Sequence, residues 1–137
     1  EDESDLLDIR LTELIMQVFR PGLPLQGKTV ALAPFYVADS MLKLTSEFLW
    51  ESAVEKTIKA AQVHVLERSR LEEILKENAL ELTGLTVENP DPKIGKMFCA
   101  DYMAFGKILF IGAVRVCHMR LVDCQTGSVV SAARIKL

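Results

Sequence analysis

The chain reads as an α/β protein of the α+β sandwich kind: a mixed β-sheet with a C-terminal antiparallel meander, flanked by helices. Three observations predict this. Residues 5–19 and 40–61 carry apolar side chains at helical spacing. The segment TVALAPF, Thr29 to Phe35, is small or apolar on both faces, as in a strand covered on both sides. The C-terminal part is rich in aromatic and β-branched residues and is punctuated by a tight Gln125-Thr126-Gly127 turn. The expected element order is α-β-α-β-α-α-β-β-β.

In the first helix, Leu7, Leu11, Leu14, Ile15 and Val18 share a stripe, and Arg20-Pro21-Gly22-Leu23-Pro24 ends it. Pro34 limits ladder pairing at the end of the first strand. The longest helix, from Ser40 to about Ala61, is expected to bury Met41, Leu44, Phe48 and Leu49, then Val54, Ile58 and Ala61. A short strand spans Gln62 to Leu66. Ser69 then has the mark of an N-cap, with Glu72 completing a capping box, and the helix runs to about Leu82. Asp91-Pro92 opens a short helix over 93–98.

Three strands follow: Asp101 to Gly112, Ala113 to Asp123, and Ser128 to Leu137. Gln125-Thr126-Gly127 fits a three-residue hairpin loop with Gly127 left-handed. Cys124 would then face Ser128. Counting outward pairs Leu121 with Ser131, Met119 with Ala133, Cys117 with Ile135, Arg120 with Ala132 and His118 with Arg134. One face becomes Cys117, Met119, Leu121, Ala133 and Ile135, a core face. The other carries His118, Arg120, Arg134 and Lys136 among valines.

The chain has 137 residues, half of them hydrophobic and 26% charged, which suits one globular unit. Residues 1–27 form an amphipathic helix and linker, and 28–137 the αβ domain. A net charge of −3 argues against a nucleic-acid partner. No apolar run reaches the roughly 20 residues that span a bilayer. The acidic start Glu1-Asp2-Glu3-Ser4-Asp5 reads as a linker, so any anchor is expected outside this sequence.

Chemistry-bearing constellations are sparse, and no residue pattern points to a catalytic residue, a cofactor or a metal site. Cys117 and His118 are neighbours in a strand and point to opposite faces, which argues against a dyad. His64 reads as a structural or surface histidine. Gly95-Lys96 and Gly106-Lys107 belong to no phosphate-binding loop, and Gly106 suits a bend or bulge in its strand. Cys99, Cys117 and Cys124 lack metal spacing and read as small buried hydrophobes; one disulfide or a reactive thiol are the alternatives.

Two polar features stand out. Glu67-Arg68 sits where a strand hands over to a helix, and would either brace neighbouring loops or contact a partner. The basic face of the final hairpin, with His118, Arg120, Arg134 and Lys136, would be a solvated or helix-covered face, or a partner surface or an edge open to strand addition.

Three segments in order resemble the FlgO and CsgG lipoprotein families. Lys28 to Phe35 is similar to their first strand, ending in Pro-Phe. Val65, Glu67, Arg68, Leu71, Ile74, Leu75 and Glu77 follow the pattern V-x-E-R-x-x-L-x-x-L-L-x-E. Ala100-Asp101 through Gly106, then Arg120-Leu121-Val122-Asp123 and Thr126-Gly127, are similar to G-A-D-x-x-x-x-G followed by R-L-V-D-x-x-T-G-x-V. Cys99 stands where those families commonly carry Gly. Gly112 passes straight to Ala113, leaving no room for the membrane hairpin of the CsgG pore formers.

The resemblance implies a non-enzymatic domain without that pore, on the periplasmic side of the outer membrane of the bacterial envelope. It implies envelope or appendage proteins as partners, a homo-oligomer as one arrangement, and membrane contact only through a lipid or signal segment absent here. Support of a surface structure, the flagellum first, is the leading expectation. A lipoprotein activator of a periplasmic cell-wall synthase is the alternative. A small-ligand-binding protein or thiol-dependent enzyme is the alternative of another class, with Cys99 as its nucleophile.

Overall fold

The computed structural model describes residues 3–37, 43–66, 68–77 and 97–137. Within them lie α1 (Glu3–Val18), β1 (Thr29–Leu32), β2 (Tyr36–Val37), α2 (Lys43–Ala61), β3 (His64–Val65), α3 (Arg68–Glu77), β4 (Tyr102–Ile111), β5 (Val114–Asp123) and β6 (Val129–Lys136). The strands form one mixed sheet in the order β3-β1-β4-β5-β6, and β2 continues β1 along the same side of β4. The pairs made by β1 and β2 are parallel; β4-β5-β6 is an antiparallel meander. This is the α+β architecture expected from the sequence.

Leu11, Leu14, Ile15 and Val18 of α1 join Leu32, Leu49, Ile108, Met119 and Leu121 in one buried cluster. Leu71, Ile74 and Leu75 of α3 belong to it too. Burying each such side chain contributes about 1.5–3 kcal/mol. Lys56 Nζ reaches Asp8 Oδ1 at 3.0 Å and ties α2 to α1.

The expected strand Thr29 to Phe35 is split. Proline has no N–H, and the ladder stops at Leu32 and resumes at Tyr36. Leu32 pairs with Ala104 but Tyr36 pairs with Lys107, so the first side spends one residue more than β4 over the break. Gly106 is no bend: it lies in unbroken register with Met119.

Of the expected stripe of α2, Leu49 is buried and Val54 and Ala61 pack against the core, whereas Phe48 and Ile58 are exposed; the side chains of Met41 and Leu44 lie outside the described ones. Trp50, Ala53 and Thr57 are buried beside Leu49, so the inward face is turned from the expected one. Trp50 Nε1 donates to the Leu32 carbonyl at 3.0 Å, giving the indole a polar reason to point inward. The next strand is shorter than expected. Gln62 takes φ +53 and donates its N–H to the Ile58 carbonyl, so it caps α2 rather than opening β3. Helix α3 begins at Arg68, which puts Ser69 inside the first turn instead of at the cap. The expected end of that helix beyond Glu77 and the short helix up to residue 96 lie outside the described residues.

All five counted pairs between the last two strands are present. The turn differs: Asp123 N–H bonds the Ser128 carbonyl, so four residues are enclosed, with Gly127 at φ +76. A bulge next to Leu121/Val122 absorbs the shift. Cys124 does not pair with Ser128; its N–H bonds the Asp101 carbonyl.

Candidate functional site: the basic sheet face

Side chains alternate along a strand, so register assigns each residue of the meander to a face. Ala104, Ile108, Cys117, Met119, Leu121 and Ser131 face inward and are buried. On the opposite face Lys107, His118 and Arg134 stand in one row across β4, β5 and β6. Phe105, Arg120 and Ala132 form the row on one side of it, and Leu109, Val116 and Lys136 the row on the other. Within these strands the face holds Lys107, Arg120, Arg134, Lys136 and His118 and no carboxylate. Asp123, the one acid of the three strands, shares the inward face at the turn end.

The row is built for cations held close together. Arg120 Cζ lies 5.7 Å from the centroid of its cross-strand neighbour Phe105, a cation–π contact of about 0.5–1 kcal/mol. Arg134 and Lys136 are exposed, while Lys107, His118 and Arg120 are half-buried. His118 is held below the ordinary histidine value, first by burial and then by Lys107 and Arg134.

His118, Arg120, Arg134 and Lys136 are thus brought together as the sequence suggested. Lys107 and Phe105 complete the face and were missed. The two-residue turn at Gly112-Ala113 was their signal, because it sets β4 against β5. Glu67 lies outside the described residues. Arg68 opens α3, which follows β3, the edge strand opposite β6 in the sheet order.

A shallow cavity of about 270 Å³ opens beside the β5–β6 turn, lined by Lys28, Asp101, Tyr102, Asp123, Cys124 and Gln125. Its carboxylates are committed to backbone. Asp101 Oδ2 accepts from Thr29 N–H at 2.9 Å, and Asp123 Oδ1 accepts from Gln125 and Thr126 N–H at 2.7 and 3.3 Å. Burial, then Asp123 and Asp101, push the Cys124 thiol up to about 11, and burial pushes Cys117 up to about 12. Thiols with such values are protonated and poor nucleophiles near neutrality. No disulfide forms: Cys117 and Cys124 are free and buried, and Cys99 is free but exposed, unlike the buried hydrophobe expected. Among the described residues no cluster of three His, Cys, Asp or Glu could hold a metal ion.

Residues 45–111 match the family of the curli production assembly/transport component CsgG. This span runs from α2 through β4 and includes the Val65–Glu77 pattern and Ala100-Asp101. The LpoB C-terminal domain from Escherichia coli superposes with a TM-score of 0.77 at 11% identity, covering 95% of this chain and 96% of that one. The same domain from Salmonella enterica gives 0.73 at 12% identity over 95% and 96%. Lipoprotein GNA1162 from Neisseria meningitidis gives 0.62 at 17% identity over 80% and 79%. At these identities the structural likeness speaks for the fold. No curated protein matches the chain by sequence. Residues 45–111 are thus similar to the CsgG family, and the fold is shared with these lipoprotein domains.

Proposed function

We propose that the chain is a non-enzymatic, protein-binding domain of a bacterial envelope lipoprotein, working on the periplasmic side of the outer membrane. Its role is to engage and activate a periplasmic cell-wall synthase. The observation that carries this is the basic face of β4–β6: Lys107, Arg120, Arg134 and Lys136 stand in register with His118 on a face to which these three strands contribute no carboxylate, which fits an acidic surface on a partner. Complementary charge gives such contacts their on-rate and specificity. The likeness to the LpoB C-terminal domain supports synthase activation as the role. A surface-appendage role is the second reading, supported by the match of residues 45–111 to a curli assembly component; the flagellum, first in the expectation from the sequence, draws no support from it.

The test is glycan polymerisation by a purified bifunctional synthase with and without this chain. Polymerisation should speed up with the chain present. Arg120→Glu/Arg134→Glu should need about tenfold more protein for the same effect, equivalent to about 1.4 kcal/mol. An unchanged rate with the wild-type chain would refute the synthase reading.

A further inference from the structure

The β4–β5 hairpin ends in an exposed apolar tip that the basic face does not use. Phe110 is 51% exposed, Ile111 57% and Val114 40%, around a two-residue turn of Gly112 and Ala113. Gly112 holds φ +63 with no atom within 4 Å of an added Cβ, so the turn projects into open space. From Ile108 to Val114 the sequence ILFIGAV has no charged or hydroxyl side chain. Ile108 is buried in the core, whereas Phe110, Ile111 and Val114 make an exposed apolar patch of the kind that marks a contact surface.

Two features of the geometry choose what meets this patch. Phe110 and Ile111 are adjacent on β4, so they point to opposite faces of the sheet, and both are more than half exposed. A partner protein packing on one face would leave the other apolar residue in water, whereas a lipid interface surrounds the tip. The ladder runs out to Ile111 and Val114, so the backbone groups that β4 and β5 turn toward each other are paired almost to the turn. Those on the outer edges stay at the hydrated headgroup level, which keeps the insertion shallow. Arg115 opposite Phe110 and Lys136 opposite Val116 stand just behind the tip, at the level where lipid phosphates would lie.

We infer that the tip at residues 110–114 inserts into the interfacial layer of an anionic lipid bilayer, with Arg115 and Lys136 on the headgroups. The insertion is shallow, since the apolar stretch is far shorter than a spanning strand. It orients the domain on a membrane, takes Lys136 at the edge of the basic face, and leaves the rest of that face, Lys107, His118, Arg120 and Arg134, to a partner.

The experiment is flotation of the 137-residue chain with phosphatidylglycerol–phosphatidylethanolamine vesicles and, separately, phosphatidylcholine vesicles. The expected result is flotation with the anionic vesicles and about tenfold less with the neutral ones. Phe110→Ser/Ile111→Ser should abolish flotation with an unchanged melting temperature. Ile111→Trp should add a fluorescence component that shifts to the blue with anionic vesicles. Absence of wild-type flotation, equal flotation of the double variant, or a tip-dependent dimer in sedimentation without lipid would overturn the inference. Synthase activation is measured without vesicles, so either proposal can fail while the other stands.

Discussion

Gly106 lies beneath the ring of Phe35. A Cβ built at Gly106 would sit 2.5 Å from Phe35 Cε1 and 3.1 Å from Cγ, and Phe35 is 2% exposed. Pro34 interrupts the ladder, and the chain between Leu32 and Tyr36 drops an aromatic ring onto β4 at the one residue without a side chain. Gly106→Ala is expected to cost about 1–3 kcal/mol by overpacking. Phe35→Leu should recover part of that loss in the double variant but destabilise the wild type. Urea denaturation of the four proteins checks this; additive losses would contradict the contact.

Cys99 and Gln62 are the two described non-glycine residues with positive φ, at +55 and +53. The left-handed region costs an L-residue about 1–2 kcal/mol. Cys99→Gly and Gln62→Gly should therefore each raise stability by about 1 kcal/mol, read by urea denaturation. A loss at either position would show that its side chain contributes more than the backbone strain. In the native wild-type chain, one thiol, Cys99, should react rapidly with iodoacetamide. Rapid labelling of Cys117 or Cys124 would contradict their burial.

His118 gives the fold an acid-sensitive element. Burial, Lys107 and Arg134 all disfavour its protonated form, so the native value lies below the unfolded one of 6.5. Between the two values the unfolded chain binds more protons, and stability falls as pH drops through that window. The melting temperature should decline on acidification from neutrality. His118→Gln should decline less over the same range; parallel curves would remove His118 as the cause.

The bracing role that the sequence suggests for Glu67 and Arg68, the latter the first residue of α3, stays a proposal. Glu67→Ala should then lower the melting temperature by several degrees, as removing one partner of a buried pair costs about 3–5 kcal/mol. A change within about one degree would sink it.

The meander was the most legible part of the sequence. Register follows from counting outward from a turn, and alternation then separates Cys117, Met119 and Leu121 from His118 and Arg120. The turn was legible in place but not in length. Asp123 Oδ1 caps the N–H groups of Gln125 and Thr126, which lets four residues close where three were expected. Helix faces were read less well. Trp50 turns inward for a hydrogen bond to Leu32, a tertiary contact that periodicity does not encode, and Phe48 is left outside. Lys107 was missed because it joins the basic row only through pairing of β4 with β5. Cys99 in the position where the resembled families carry Gly had a legible consequence, since that residue adopts a glycine-type φ.

The most direct measurement places a photo-crosslinking residue at position 134, on the basic face, and a second at exposed position 51 of α2, in intact cells. Captured proteins are identified by mass spectrometry. Capture of a periplasmic cell-wall synthase at position 134 and not at 51 is the expected result. The same proteins captured equally at both positions, or no synthase at 134, would contradict the basic face as its docking surface.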